Sequence, residues 1–343
     1  MEQSMKRISF LLSISIWTAT SFGQGSDVSK VGITAAPFLE IGVGARALGM
    51  GGAFVGTADD ASALYWNPSG IARHQDTQLM FMHADWLADM NFDFAGFSVP
   101  LGAFGSIGLS LISLSYGEMP VRTEALPDGT GELFSAGDLA VGLTYARGLT
   151  DRFSIGFNVK YLNQRIWHES AQGFALDFGT LFVTGLKGLR IGATLSNFGT
   201  DMRMEGKDVL VFHDVDPYII GNNDRVPANL QTDHWPLPLT FQFGLAMEAF
   251  KSPLNRLTVA TDAIHPNDNT ESVNLGTEYA FREMLFLRAG YNSLFLRDGE
   301  AGLTFGAGFA NRFVGNVLVQ LDYAYADFGR LENVQRFSLS ISF

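Results

Sequence analysis

From residue 76 to the end, apolar residues alternate with small or polar ones in short runs separated by turn residues. Leu139, Val141, Leu143 and Tyr145 are apolar, whereas Asp138, Ala140, Gly142 and Thr144 between them are small or polar. Phe153, Ile155, Phe157, Val159 and Tyr161 alternate in the same way with Ser154, Gly156, Asn158 and Lys160. The beat returns at 174–182, 237–248, 273–279, 285–291, 303–309 and 317–325. A period of two places successive side chains on opposite faces of a β-strand. The pattern predicts fourteen strands, near 76–86, 91–101, 104–118, 134–147, 152–167, 172–184, 189–198, 237–249, 255–265, 271–281, 285–294, 301–311, 316–327 and 334–343. Short connections are expected at six alternate positions, and long ones at 119–133 and 199–236.

Two architectures produce such alternation: a soluble sandwich with an apolar core, and a membrane barrel with an apolar exterior. The charges favour the barrel. Lys160, Asp177, Glu248, Asp262, Glu278, Arg288 and Asp322 all fall on the non-apolar parity of their strands. A cation on the lipid face near the midplane costs about 2–4 kcal/mol, so these residues are expected to face the lumen. The apolar parity is rich in aromatic residues and often closes with Tyr or Trp, as at Tyr145, Tyr161, Trp167, Tyr279, Tyr291, Tyr323 and Tyr325. The opposite parity is rich in Gly and Ala, which does not suit a solvated surface. The expected fold is therefore all-β, a transmembrane antiparallel β-barrel of about fourteen strands. An even count returns both barrel ends to one side of the membrane.

The segment before the barrel divides in two. Lys6 and Arg7 precede a ten-residue apolar run at 8–17, followed by Ser21 and Gly23. That order reads as a signal peptide, 1–23, cleaved before Gln24, and the run is too short to span a bilayer as a helix. Residues 24–75 are expected to fold back into the lumen as a plug, since fourteen strands enclose more space than side chains alone fill. The barrel itself is 76–343. Within the plug, Gly49, Gly51 and Gly52 permit close backbone approach. A short helix is expected from Asp60 or Ala61 to Trp66 with an Asp as N-cap, and Pro68 turns the chain at Asn67. Asp59 and Asp60 suit capping, with a bound cation or a basic group of a cargo as the alternative.

Composition agrees. Charged residues are 17% of the chain against about 25% in ordinary soluble domains, while Gly numbers 38 and Phe 29. A formal net charge of −12 excludes a nucleic-acid partner that needs basic stripes. There is no Cys, hence no disulfide, no thiolate metal site and no thiol nucleophile. Gly42-x-Gly44-x-x-Ala47 lacks the βαβ context of a dinucleotide site. His168-Glu169 lacks the second His of a zincin. With no nucleophile–base pair in view, no catalytic residue, cofactor or metal ligand is assigned and the chain is not read as an enzyme. The 199–236 loop holds Asp208, Asp214, Asp216, Asp224 and Asp233 without EF-hand spacing, which suits a solvated acidic loop better than a Ca²⁺ site. Its length and its Phe212, Tyr218 and Trp235 suit contact with a ligand or partner.

The run at 49–70, GMGGAFVGTADDASALYWNPSG, resembles the N-terminal signature of the PorV/PorQ family of outer-membrane proteins. That family is similar in fold to the FadL long-chain fatty-acid transporters, whose hatch carries an Asn-Pro turn matched here by Asn67-Pro68. The resemblance is specific over about 38–72 and extends in layout over the whole mature chain. It implies a bacterial outer-membrane location, with lipid around the barrel, and two possible roles. One is type IX secretion-like protein secretion or surface delivery, with secretion components or an exported cargo protein as partners. The other is FadL-like transport of hydrophobic small molecules. The ending Phe337, Leu339, Ile341, Phe343 resembles the signal by which such barrels reach their insertion machinery, with Phe343 as the terminal aromatic residue.

Overall fold

The computed structural model describes residues 31–186, 188–216, 218, 225–296 and 299–343. The expected signal peptide lies outside the described residues. Among them, fourteen long strands build one wall: β1 Gln78–Trp86, β2 Met90–Pro100, β3 Ser106–Pro120, β4 Leu133–Gly148, β5 Phe153–Ile166, β6 Glu169–Val183, β7 Arg190–Gly199, β11 Thr240–Lys251, β12 Asn255–Pro266, β13 Ser272–Phe281, β14 Leu285–Leu294, β15 Leu303–Arg312, β16 Leu318–Asp327 and β17 Asn333–Ser342. Three short strands, β8 Glu205–Gly206, β9 Leu210–His213 and β10 Val226–Asn229, lie in the long connection after β7.

Each wall strand pairs antiparallel with its neighbours in sequence, β7 pairs with β11 across the long connection, and β1 pairs with β17. The last pairing, from Gln78 opposite Ser342 to Asp85 opposite Gln335, closes the cylinder. Closure satisfies the backbone of every wall strand, which is the condition for crossing hydrocarbon with strands. No helix among the described residues is long and apolar enough to cross a membrane. One rim carries only short connections: 101–105, 149–152, 184–189, 252–254, 282–284 and 313–317. The other carries 121–132 and 200–239, together with shorter ones. By the usual asymmetry of such barrels, the short-turn rim is periplasmic and the other is extracellular.

The two parities separate as the alternation requires. Leu143, Phe174 and Leu287 point outward and are 58%, 59% and 63% exposed. On the opposite parity, Lys160, Asp177, Asp262, Glu278, Arg288 and Asp322 are all buried inside the barrel. Glu248 shares their parity but lies near the periplasmic rim, half-buried, and pairs with Lys251 at 2.8 Å. Ionisable groups on the exterior parity gather near the extracellular strand ends: His83 contacts Asp93 at 2.8 Å and Asp85 at 3.5 Å at the ends of β1 and β2, and His265 at the end of β12 contacts Glu271 at 3.0 Å.

Residues 34–74 pass inside the wall, against its inner face. Two short helices, α1 Ala45–Gly49 and α2 Ala63–Trp66, and 3₁₀ turns at Pro37–Glu40 and Pro68–Arg73 give this segment its shape. Its start is held near the extracellular rim, where Ala35 N–H donates to the Pro236 carbonyl and Ala36 N–H to Gln164 Oε1. Its end reaches the periplasmic rim, where Thr77 exchanges both backbone hydrogen bonds with Phe343. The segment therefore runs from the outer mouth to the inner one.

The exterior face gives a direct test. Leu143→Arg places a cation on the lipid side of β4 near mid-strand and is expected to destabilise the barrel by about 2–4 kcal/mol. Urea unfolding in lipid vesicles reads the shift.

Candidate functional site

The luminal segment seats backbone against backbone. A Cβ on Gly192 would collide with the Val55 carbonyl, one on Gly276 with the Met50 carbonyl, and one on Gly290 with the Gly51 amide. Gly49 brings its own Cα face to Gly306, where an added Cβ would stand 3.0 Å from the Gly306 Cα. Gly51 and Gly52 adopt φ of 66° and 74°, a region open to glycine. The glycine-rich inner parity is thus a moulded seat for an irregular chain.

Polar groups of the wall satisfy the segment's backbone. Asp262 accepts from Phe54 N–H at 2.8 Å and Val55 N–H at 2.9 Å. Ser338 Oγ accepts from Ala45 N–H at 2.8 Å, and Asn292 Nδ2 donates to the Gly51 carbonyl at 3.0 Å. Asn67 is extended at φ −161°, as a residue before proline should be. Its Nδ2 donates to the carbonyls of Val55 and Thr180, both at 3.0 Å, and its Oδ1 accepts from Ser69 N–H and Oγ. Asn67-Pro68 therefore ties two stretches of the segment to β6. Trp66 Nε1 donates to the Val43 carbonyl. The helix after Asp60 is shorter than expected: Ser62 is its N-cap residue, without a side-chain cap. Asp60 stands just before it, its Oδ1 accepting from Ser62 N–H and Oγ while its Oδ2 meets Arg46.

Arg46, on α1, is the centre of the seam. It grips Glu278 with Nε at 2.9 Å and Nη2 at 3.2 Å, and its Nη1 reaches Asp59 at 2.6 Å and Asp60 at 3.0 Å. Glu278 also receives Arg256 at 3.1 Å and Arg288 at 2.8 Å, and Arg288 continues to Asp322 at 2.6 Å. Arg190 reaches Asp59 at 3.2 Å. Burial alone would raise the Asp59 carboxyl, but Arg46 and Arg190 hold it below the ordinary carboxylate range. Five of the expected site residues, Asp59, Asp60, Glu278, Arg288 and Asp322, meet in this network. Among the described residues no group of three His, Asp or Glu side chains is placed to hold a metal.

A second cluster lies nearer the extracellular side. Lys160 Nζ pairs with Asp177 Oδ1 at 2.8 Å and donates to Asn197 Oδ1. Asp177 also accepts from Asn197 N–H at 2.8 Å and Asn158 Nδ2 at 2.9 Å. Asn197 sits at φ 64°, where the pairing of β6 with β7 slips its register; Asn tolerates this left-handed conformation better than most residues. This cluster borders an open vestibule with two adjoining lobes of about 300 and 320 Å³. Glu40, Gly42, Leu48 and Asn292 line both lobes. Glu40 reaches water there, yet the surrounding protein and the nearby Asp268 raise its carboxyl to about 7.

The lumen-facing parity led directly to six buried charges. Arg190 and Arg256 were missed because they begin their strands at the rim, where alternation is weak. Arg336 was missed although it shares the inner parity of Ser338; the apolar residues 337, 339 and 341 drew the reading of that strand outward.

Two outcomes follow. Glu278→Gln leaves three arginines around a neutral amide, with an expected loss of about 3–5 kcal/mol by analogy with broken buried pairs, read by urea unfolding. A raised carboxyl pKa favours the folded state at low pH and withdraws that stability as pH climbs from 4.5 towards about 7. Glu40→Gln should then match the parent protein's Tm at pH 5 and exceed it at pH 8.

The family described as Type IX secretion system protein PorV matches residues 24–203, just over half of the chain. No curated protein sequence matches it. Solved structures agree in fold. A Pseudomonas aeruginosa FadL homologue aligns with a TM-score of 0.52 at 13% identity, over 86% of this chain and 97% of the other. The Pseudomonas putida toluene transporter TodX gives 0.53 at 12% identity, over 88% and 97%. The Ralstonia pickettii toluene transporter TbuX gives 0.51 at 11% identity, over 88% and 97%. The closed fourteen-strand wall, its apolar exterior and this match together identify the chain as a bacterial outer-membrane β-barrel that belongs to the PorV family.

Proposed function

We propose that this protein is a plugged, non-conducting barrel that serves protein secretion or surface delivery, and that residues 24–75 form its plug. The observation that carries the reading is the seam. The plug backbone lies against wall glycines, and Arg46 locks it to Glu278 inside the wall. Such a barrel works through what docks on it and carries out no chemical reaction.

The long extracellular connection supports a protein partner. Leu210, Phe212, Val215 and Leu230 are exposed on or beside the β9–β10 ribbon, and Tyr218 is 94% exposed. Exposed apolar and aromatic groups gathered on one loop suit an interface. Phe343, at the closing seam beside Thr77, is proposed as the contact with the barrel-insertion machinery.

The second reading is transport of a hydrophobic solute, favoured by the apolar vestibule floor of Leu64, Trp66, Phe94 and Ile112 and by the toluene transporters among the structural neighbours. The Lys160–Asp177 pair and the amides of Asn158, Asn197 and Gln242 in the same lining weigh against a hydrocarbon path.

Deleting the gene and quantifying secreted and surface proteins by mass spectrometry separates the two. The expected result is loss of a set of surface proteins that share a C-terminal sorting domain, with those proteins retained in the periplasm. An unchanged exported proteome sinks the secretion reading. Replacing Asn67 and Pro68 by Ala should leave delivery intact if the barrel docks partners, whereas a gated transporter would lose uptake.

A further inference from the structure

Elsewhere the inward cations have carboxylate partners: Lys160 has Asp177, Arg288 has Asp322 and Glu278, Arg46 and Arg256 share Glu278, and Arg190 has Asp59. Arg336, on the inner face of β17, is different. It is 2% exposed, and its Nε and Nη1 are enclosed without any hydrogen-bond acceptor. Two rings flank the guanidinium, Trp86 at 5.0 Å and Phe328 at 5.9 Å from the ring centroids. Cation–π contact offsets part of the desolvation, but aromatic faces accept no N–H in place of water as a carboxylate does. A guanidinium withdrawn from water without a counter-charge is a costly feature for a fold to keep.

Arg336 borders the second lobe of the vestibule, a cavity of about 320 Å³ towards the extracellular side. That size is at the lower end of small-molecule sites, roughly 300–1,000 Å³. Pro37, Ile41 and Leu48 supply an apolar side, Asn292 and Thr304 supply hydrogen-bonding groups, and Arg336 is the lone cation of the described lining. Glu40 and Asp327 line the same lobe.

We propose that this lobe binds a small organic monocarboxylate, with its carboxylate on Arg336 between Trp86 and Phe328 and its apolar body against Pro37, Ile41 and Leu48. One guanidinium balances one negative charge. The two nearby acids oppose a phosphate dianion, and a bare halide would leave the apolar side unfilled. The site faces the outside and is independent of whether the barrel serves delivery or transport.

The test is calorimetric titration of the purified full-length barrel in nanodiscs with benzoate, and with benzamide as the uncharged isostere. The expected result is saturable benzoate binding, with benzamide weaker by roughly tenfold or more, as for loss of a charge-assisted hydrogen bond. Arg336→Gln should weaken benzoate by a similar factor and leave benzamide unchanged. Trp86→Leu should weaken benzoate severalfold. The proposal is overturned if benzoate shows no saturable binding, if benzamide binds as well, if chloride or inorganic phosphate displaces benzoate at equal concentration, or if Arg336→Gln binds benzoate as the parent does. Should Arg336→Gln fail to assemble, the benzoate–benzamide comparison and Trp86→Leu decide the matter.

Discussion

Fourteen strands enclose more space than inward side chains can fill, since about eight is the size that side chains alone close. The barrel meets that constraint with its own chain, and most of the inner surface follows from it. Residues 34–74 are irregular and bulky, so the wall must recede where they pass. It recedes by omitting side chains: Gly192, Gly276 and Gly290 each stand where a Cβ would strike the luminal backbone. The cost of glycine inside a strand is offset by pairing on both edges around a closed cylinder.

An irregular chain at membrane depth brings unpaired amides and carbonyls, which are tolerated only where protein or water satisfies them. The wall does this with single side chains aimed inward. Asp262 takes two consecutive amides, Ser338 takes one, and Asn67 reaches from the segment to the Thr180 carbonyl. Arg46 joins the two parts electrostatically. Its contact with Glu278 is fully inside the wall, while its contacts with Asp59 and Asp60 fold the segment on itself. Glu278 and Asp262, which would read as part of a permeation path in an empty barrel, in this one fasten the segment to the wall.

The wall was legible in the sequence because a single period determines it. Each of the fourteen strand positions read from alternation lies within three residues of the observed strand, and the parity of the charges assigned the lipid face. The luminal segment was legible only through composition and resemblance. Its conformation depends on partners remote in sequence, such as Asp262 for Phe54 or Gln164 for Ala36, and no local period encodes them. The helix after Asp60 shows the limit clearly. Local capping preference points to an Asp N-cap, and Asp60 Oδ1 does take the Ser62 N–H, but its other oxygen meets the Arg46 guanidinium fourteen residues back, a partner no local preference encodes. Arg336 shows another limit: alternation places it inside, yet whether an inward arginine finds an acid depends on the strands opposite.

The two halves of the lumen differ in what they leave unsatisfied, and this difference bears on function. In the periplasmic half Glu278 is wholly buried and holds three arginines. Drawing the segment away from that half would strip Arg46 from Glu278 and expose a fitted glycine seat, and separating one buried pair already costs about 3–5 kcal/mol. The extracellular half is open, amide-rich and retains an unmatched guanidinium. Under the proposed function, that asymmetry suits recognition at the cell surface better than a steady flux of solute.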